Sequence, residues 1–208
     1  MGKKGILLVV SGFSGAGKGT LMRELLRQHE NYALSISATT RAPREGEAEG
    51  REYFFKTREE FEGMIAREEL IEYACYVGNY YGTPKAYVEE QLERGRDVVL
   101  EIEIQGARKV KERFPDTVLL FVSPPSAQEL RRRLTDRGTE KPEIIESRLA
   151  RAVEEAEGIE DYDYFVINDD LNACVEHVHQ IVECERSRTC RGAERIEAIR
   201  EDLKAFSK

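Results

Sequence analysis

Residues 6–10 form an unbroken apolar run, Ile6 to Val10, of the length expected for a strand buried on both faces. Apolar residues return at helical spacing over 21–26, and the ten residues between the two runs are rich in glycine and hydroxyls. Residues 32–36 alternate enough to predict a second strand. Residues 37–44 leave it as a polar loop in which Pro43 holds Ala42 out of helical geometry. From 45 to about 84 the character changes. Gly46 and Gly50 punctuate the chain, an aromatic strand is predicted over 53–55 and a short helix over 58–67, and strands over 70–74 and 76–83 are bounded by turns. This stretch reads as a small β-rich insertion.

The strand–helix rhythm then resumes, with a helix over 85–94, a strand over 97–102, a short helix over 106–113 and a fully buried strand over 118–122. A helix over 126–137 has Ser126 as N-cap and Glu129 in the capping-box position. Residues 137–142 break the pattern. A further helix starts at Pro142 or Glu143 and runs to about 157, and a last strand over 164–167 ends at Asn168, Asp169 and Asp170. In the remainder, Val175, Val178, Ile181 and Val182 recur as a core-facing helical stripe. Gly192 divides the segment, and Ile196, Ile199, Leu203 and Phe206 mark a second short amphipathic helix. Repeated strand–helix units predict an α/β fold, a parallel sheet flanked by helices. At 208 residues the chain suits one domain carrying a small insertion.

Composition narrows the partners. Thirty-two Lys and Arg stand against 40 Asp and Glu, a net charge of −8 that argues against general nucleic-acid or membrane-surface binding. Anionic ligands must therefore meet locally clustered cations. The four cysteines, Cys75, Cys174, Cys184 and Cys190, form no C-x-x-C pair and suit reduced thiols in a cytoplasmic protein. No apolar stretch reaches membrane-spanning length, and the chain is expected to remain where it is made.

The candidate chemistry begins in the first gap. Gly12 to Lys18 satisfies G-x-x-x-x-G-K between a predicted strand and a predicted helix, the context of a P-loop. Gly12, Gly15 and Gly17 let the backbone wrap an anion, while helix-start N–H groups and the Lys18 ammonium point at the β- and γ-phosphates of a nucleotide. The residue after Lys18 is Gly19, where Ser or Thr usually reaches Mg²⁺. Thr20 is then the only hydroxyl beside the loop, so the metal is expected on it directly or through water. A glycine-rich structural turn is the plainer alternative, and the agreement of strand, spacing, lysine and helix argues against it.

The chain resembles the guanylate kinases from about Gly5 to Asp170. The motifs are residues 12–20; residues 37–47, with Thr39, Thr40, Arg41, Pro43, Arg44, Gly46 and Glu47; Tyr53; Ile71 and Glu72; residues 78–83; Gln105 and Gly106; Arg137 and Gly138; and residues 166–170. The resemblance implies a P-loop core over 1–36 and 85–208 with a lid at about 133–151, and a GMP-binding insertion over 37–84. It implies transfer of the γ-phosphoryl group of ATP, with Mg²⁺, to GMP and also dGMP, as a monomer or small homo-oligomer in purine nucleotide metabolism. ATP contacts are implied for Gly12, Ser14, Gly15, Ala16, Gly17, Lys18, Gly19, Thr20, Arg133 and Asn168, the last beside adenine. Ser37, Arg41, Arg44, Tyr53 and Tyr81 match positions at the GMP phosphate, with Glu47 in the same motif, and Glu72 and Thr83 match those that read guanine. Glu101 and Glu103 match acidic positions near the GMP ribose and the magnesium, with Glu103 standing where an aspartate is usual. Lys18, Arg41, Arg137 and Arg148 are the implied catalytic cations, and Arg151 is a weaker lid candidate.

The residue chemistry agrees with this resemblance. Two arginines on a short loop can grip a phosphate bidentately, although such a pair alone reads more readily as surface charge. A carboxylate at Glu72 can accept from guanine N1–H and its 2-amino group, whereas adenine offers an unprotonated N1. Glu101 and Glu103 follow a buried strand, where acids commonly address substrate, and one of them could instead pair with Arg108. A sugar-phosphate kinase of the same fold and a non-catalytic peptide-binding module are the competing readings. The residue 78–83 stretch argues against the first, and the intact loop and lid arginines argue against the second.

Overall fold

The computed structural model describes residues 4–76, 78–136 and 142–206. In chain order the elements are β1 (Leu7–Gly12), α1 (Lys18–Gln28), β2 (Tyr32–Leu34), β3 (Ala38–Thr39), β4 (Phe54–Phe55), α2 (Arg58–Ala66), β5 (Leu70–Tyr76) and β6 (Asn79–Pro84). They continue with α3 (Lys85–Glu93), β7 (Asp97–Glu101), α4 (Ile104–Arg113), β8 (Val118–Ser123), α5 (Ala127–Asp136), α6 (Pro142–Ala156), β9 (Tyr164–Ile167), α7 (Leu171–Arg186) and α8 (Ala193–Lys204).

Five strands make a parallel sheet in the order β2-β7-β1-β8-β9. Its apolar runs are continuous because both faces are covered. Leu8 and Val10 of β1 pack with α1 and α7 on one side, and Leu7 and Val9 pack with α3 and α4 on the other. Each such fully buried aliphatic side chain contributes about 1.5–3 kcal/mol of transfer free energy. Asp97, at the start of β7, is buried and satisfied: it accepts from the Ile6 N–H (2.8 Å), Asn31 Nδ2 (2.9 Å) and Arg186 Nη2 (2.5 Å), fastening α7 to the sheet.

A second sheet has the order β4-β3-β6-β5. β3 runs parallel to β4 and antiparallel to β6, and β5 and β6 pair antiparallel. Its core is small, with Ala38, Phe61 and Leu70 buried and Phe61 stacked on Tyr80 at 5.2 Å. Thr57 caps α2 in a reciprocal capping box with Glu60.

Several boundaries differ from the expectations. The strand expected over 32–36 ends at Leu34, after which the Ser35 N–H still reaches Val99 O. The expected polar loop 37–44 contains β3, which earns its pairing only from β4 and β6. The helix expected from Gly106 starts at Ile104. Ser126 Oγ does accept from the Glu129 N–H (3.1 Å), but the Glu129 carboxylate turns to Arg132 and Arg133 and does not close a capping box.

Candidate active site

The phosphate loop follows from local sterics. Gly12 has φ +149°, and a Cβ there would lie 2.0 Å from Val122 O, so only glycine lets β1 turn away this close to β8. Gly17 is the N-cap of α1 at φ +88°, and no side chain caps the helix, so its first N–H groups face the loop's concavity. Lys18 Nζ donates to Gly12 O (2.8 Å) and Phe13 O (3.2 Å), which holds the ammonium over the loop mouth. Asn168, buried after β9, donates through Nδ2 to Ala16 O (2.8 Å), and Arg133 Nη1 reaches the same carbonyl at 3.5 Å. Both residues expected near the nucleotide thus brace the loop from outside.

A cavity of about 550 Å³ opens from this loop toward α6. Gly12, Ser14 and Lys18 line one wall, Glu101 and Glu103 another, and Arg148, Arg151 and Glu155 of α6 a third. Arg148 Nη1 donates to Ser14 Oγ at 2.8 Å, so α6 touches the loop. Arg151 pairs with Glu103 (2.7 Å) and Glu155 (3.2 Å). Arg108 takes Asp161 as its partner at 2.5 Å, so the alternative pairing of Glu101 or Glu103 with Arg108 does not occur. Burial pushes the Glu155 carboxyl up, against the opposing pull of Arg151 and Lys18, and its Oε2 has no hydrogen-bond partner among the described residues. Arg137 lies outside the described residues.

The residues expected at the acceptor phosphate form a separate cluster on the second sheet. Arg41 pairs through Nη2 with Glu47 Oε1 (2.9 Å) and lies over the Tyr53 ring at 5.3 Å, and Tyr53 meets Tyr81 edge-on at 6.1 Å. Glu47 Oε2 accepts from the Arg44 N–H (2.8 Å), so this carboxylate folds the Arg41 to Arg44 loop upon itself. The Arg41 guanidinium and the Arg44 N–H hold the Glu47 carboxyl below the usual range. Ser37 joins through its backbone, Ser37 O accepting from the Phe54 N–H at 2.9 Å.

Glu72 is buried on β5, and its Oε1 accepts from Thr83 Oγ1 at 2.8 Å. Burial pushes its carboxyl up, opposed by the Thr83 hydrogen bonds and the Lys109 charge. Gly106 of α4 packs against it, with a Cβ at 106 falling 3.5 Å from Glu72 Oε2. The start of α4 therefore joins the two sites: Glu103, its N-cap, faces the phosphate-loop cavity, and Gly106, three residues on, abuts Glu72.

The guanylate kinase family model matches residues 4–185. The chain belongs to the guanylate kinase family. It is 52% identical over 189 residues to a guanylate kinase of Halalkalibacterium halodurans, covering 89% of this chain and 93% of the relative. It is 48% identical over 204 residues to one of Lactococcus lactis subsp. lactis, covering 98% and 100%. The crystal structure of guanylate kinase from Anaplasma phagocytophilum superposes with a TM-score of 0.73 at 36% identity, over 98% of this chain and 95% of that one. As a member of the guanylate kinase family the chain is a nucleotide-binding kinase of P-loop fold. Among the described residues no helix is long and apolar enough to cross a membrane.

One residue of the cavity, Glu155, was not singled out from sequence. It is the seventh residue after Arg148, with Arg151 at the third, one face of α6, and that spacing was the available signal. Phe13 also finds a role, packing edge-on to Phe121 at 5.0 Å between the sheet and α5.

Proposed function

We propose that this chain transfers the γ-phosphoryl group of ATP to GMP, and to dGMP, giving ADP and the guanosine diphosphate, in the purine nucleotide metabolism of the cytoplasm. The observation that carries the reading is a pairing across α4. A phosphate loop with Lys18 and Arg148 stands at one end of the helix start, and a buried carboxylate braced by Thr83 stands at the other.

An oxygen of the GMP phosphate attacks the γ-phosphorus of ATP. The new P–O bond forms as the bond to the β,γ-bridging oxygen breaks, and ADP leaves with that electron pair. The attacking oxygen is already ionised near neutral pH, so no side chain need remove a proton. The barrier is one of charge: two unit anions at 4 Å repel by about 4 kcal/mol at an effective dielectric near 20. Lys18, Arg148 and Arg137 offset this on the donor side, and Arg41 and Arg44 on the acceptor side, with Tyr53 and Tyr81 hydroxyls completing the phosphate's contacts. For Arg41 to grip phosphate it must share or leave Glu47, which places Glu47 as the group that holds Arg41 in readiness.

The residues also fit Mg²⁺. A Cβ at Gly19 would lie 3.8 Å from Glu101 Oε2, so a carboxylate stands beside the place where a loop hydroxyl would sit, and Thr20 follows, exposed, in the first turn of helix α1. No cluster of three His, Cys, Asp or Glu among the described residues could cage a metal alone, which suits an ion held mainly by phosphates and water. When bound, the ion neutralises charge on the β- and γ-phosphate oxygens.

Guanine specificity rests on Glu72. A site built to accept two N–H groups leaves a carboxylate facing a lone pair when adenine enters, a mismatch worth on the order of 10⁴-fold. ADP release coupled to a reporter, measured with GMP, dGMP, AMP and ribose phosphates in turn, tests donor and acceptor together. Turnover with the two guanine nucleotides alone is expected. Comparable turnover with AMP, or an ATPase rate without GMP that matches the kinase rate, would overturn the reading.

A further inference from the structure

A cavity of about 330 Å³ lies behind Glu72, between β5 and α4, and is lined by Ile71, Glu72, Tyr73, Lys109, Glu112 and Arg113. Its α4 wall is one helical face: Gly106 packs on Glu72, and Lys109 and Arg113 follow at the third and seventh positions. Arg113 is committed to the sheet, its Nη1 donating to Leu70 O (3.1 Å) and Ile71 O (3.2 Å). Lys109 is exposed, and no described carboxylate lies within salt-bridge distance of its ammonium. Thr83 on β6 is neutral and supplies Glu72 only with hydrogen bonds. The Lys109 charge draws the Glu72 carboxyl down, against burial, while Glu112 on the same helix brings the opposite sign to the cavity wall.

Resting on the reading of Glu72 as the guanine acceptor, we propose that Lys109 is a positioning residue for base recognition, supplying the counter-charge that lets the buried Glu72 carboxylate accept from guanine N–H groups. A carboxylate taken from water needs either a partner cation or a proton, and a protonated Glu72 presents an O–H where guanine presents N1–H. Thr83 cannot provide that charge, and the Arg113 guanidinium, although charged, is held at the Leu70 and Ile71 carbonyls. Lys109 lines the cavity while exposed to solvent, so its influence is partly screened and of moderate size.

The test uses the full chain with Lys109→Met, Lys109→Arg, Glu72→Gln and the Glu72→Gln/Lys109→Met pair, measuring kcat and KM for GMP from pH 5.5 to 8.5 at saturating ATP. The GMP phosphate itself ionises near pH 6, and that contribution is common to all four variants and the wild type. Lys109→Met is expected to raise KM for GMP more than it lowers kcat. The loss in kcat/KM should be about 3- to 10-fold at pH 5.5 and shrink steadily toward pH 8.5, because Glu72 then needs a higher pH to ionise. Lys109→Arg should restore the wild-type profile, and Lys109→Met should add no loss in the Glu72→Gln background. A loss that is independent of pH, one that persists fully in the Glu72→Gln background, or no loss at all would overturn the proposal. If Glu72→Gln itself leaves GMP kinetics unchanged, the guanine reading of Glu72 fails first. If Glu72→Gln impairs GMP use and Lys109→Met does not, only the role of Lys109 falls.

Discussion

The two sheets are built to different standards of rigidity. The parallel sheet buries strands of up to six residues on both faces, whereas the second sheet adds the two-residue strands β3 and β4 to the β5–β6 pair over a core of only Ala38, Phe61 and Leu70. The first holds a phosphate cradle whose geometry is set by backbone sterics at Gly12 and Gly17. The second holds Arg41, Tyr53, Tyr81 and Glu72 through side-chain contacts such as Arg41 to Glu47 and Arg58 over Tyr80 at 4.9 Å. On the proposed function, donor binding demands a fixed anion nest, while an acceptor arm with few buried contacts can move to enclose its ligand at little cost, and the difference in construction would follow that difference in task.

The sharpest way to break this comparison is to disable each side alone. Lys18→Ala should lower kcat with every acceptor by about 10³-fold, because its charge acts on the transferred group. Glu72→Gln should lower kcat/KM for GMP by about 10²-fold while KM for ATP stays within twofold. Steady-state kinetics in both substrates decides; an equal loss of ATP affinity in the second variant would remove the division of labour.

The same contrast explains what was legible in the sequence. The runs that became β1 and β8 could be read directly, since five consecutive apolar residues bounded by polar ones leave little besides a doubly covered strand. The phosphate loop was equally plain, its glycines and lysine being fixed by local geometry. β3 was not, because Ala38 and Thr39 are a strand only by virtue of partners sixteen or more residues away. Lys109 and Glu155 were hidden for a related reason: on a helix a charged residue reads as solvated surface until the packing shows what it faces. Glu72 was found through the motif around it, and its burial against Thr83 and Gly106 is what gives that motif physical sense.

Stability offers a next test. Leu120→Ala in the parallel sheet should cost about 2–5 kcal/mol and lower the global melting temperature. Phe61→Ala should act locally, accelerating hydrogen exchange of β3, β5 and β6 amides while those of β1 and β8 remain protected. Uniform loss of protection across both sheets would show that they unfold as one.

Glu72 should also reveal a trade between function and stability. Its carboxyl is pushed up by burial, so the fold binds its proton more tightly than the unfolded chain does. That contribution to stability is full below the unfolded carboxylate pKa and is lost as pH rises through the raised folded value. Removing the charge by Glu72→Gln should therefore raise the melting temperature at pH 8, and the gain should shrink as pH falls toward 4. Thermal melts of the two proteins across this range give the sign. A gain that grows toward acid would contradict it.

The smallest effect is expected at the lid. Arg151 pairs with Glu103 while about half exposed, and exposed pairs are worth about 0.2–1 kcal/mol, so Arg151→Ala should change kcat/KM for ATP by no more than about fivefold. Pairing the variant with Glu103→Gln should give no further loss.

The most direct measurement is a structure of the complex with GMP and a non-hydrolysable ATP analogue. The account predicts the β- and γ-phosphates against Lys18 and the loop N–H groups, guanine N1 and N2 within hydrogen-bond distance of Glu72, and the GMP phosphate between Arg41 and the γ-phosphate. Guanine bound away from Glu72, or Arg41 still remote from the Lys18 cradle with both nucleotides in place, would contradict it.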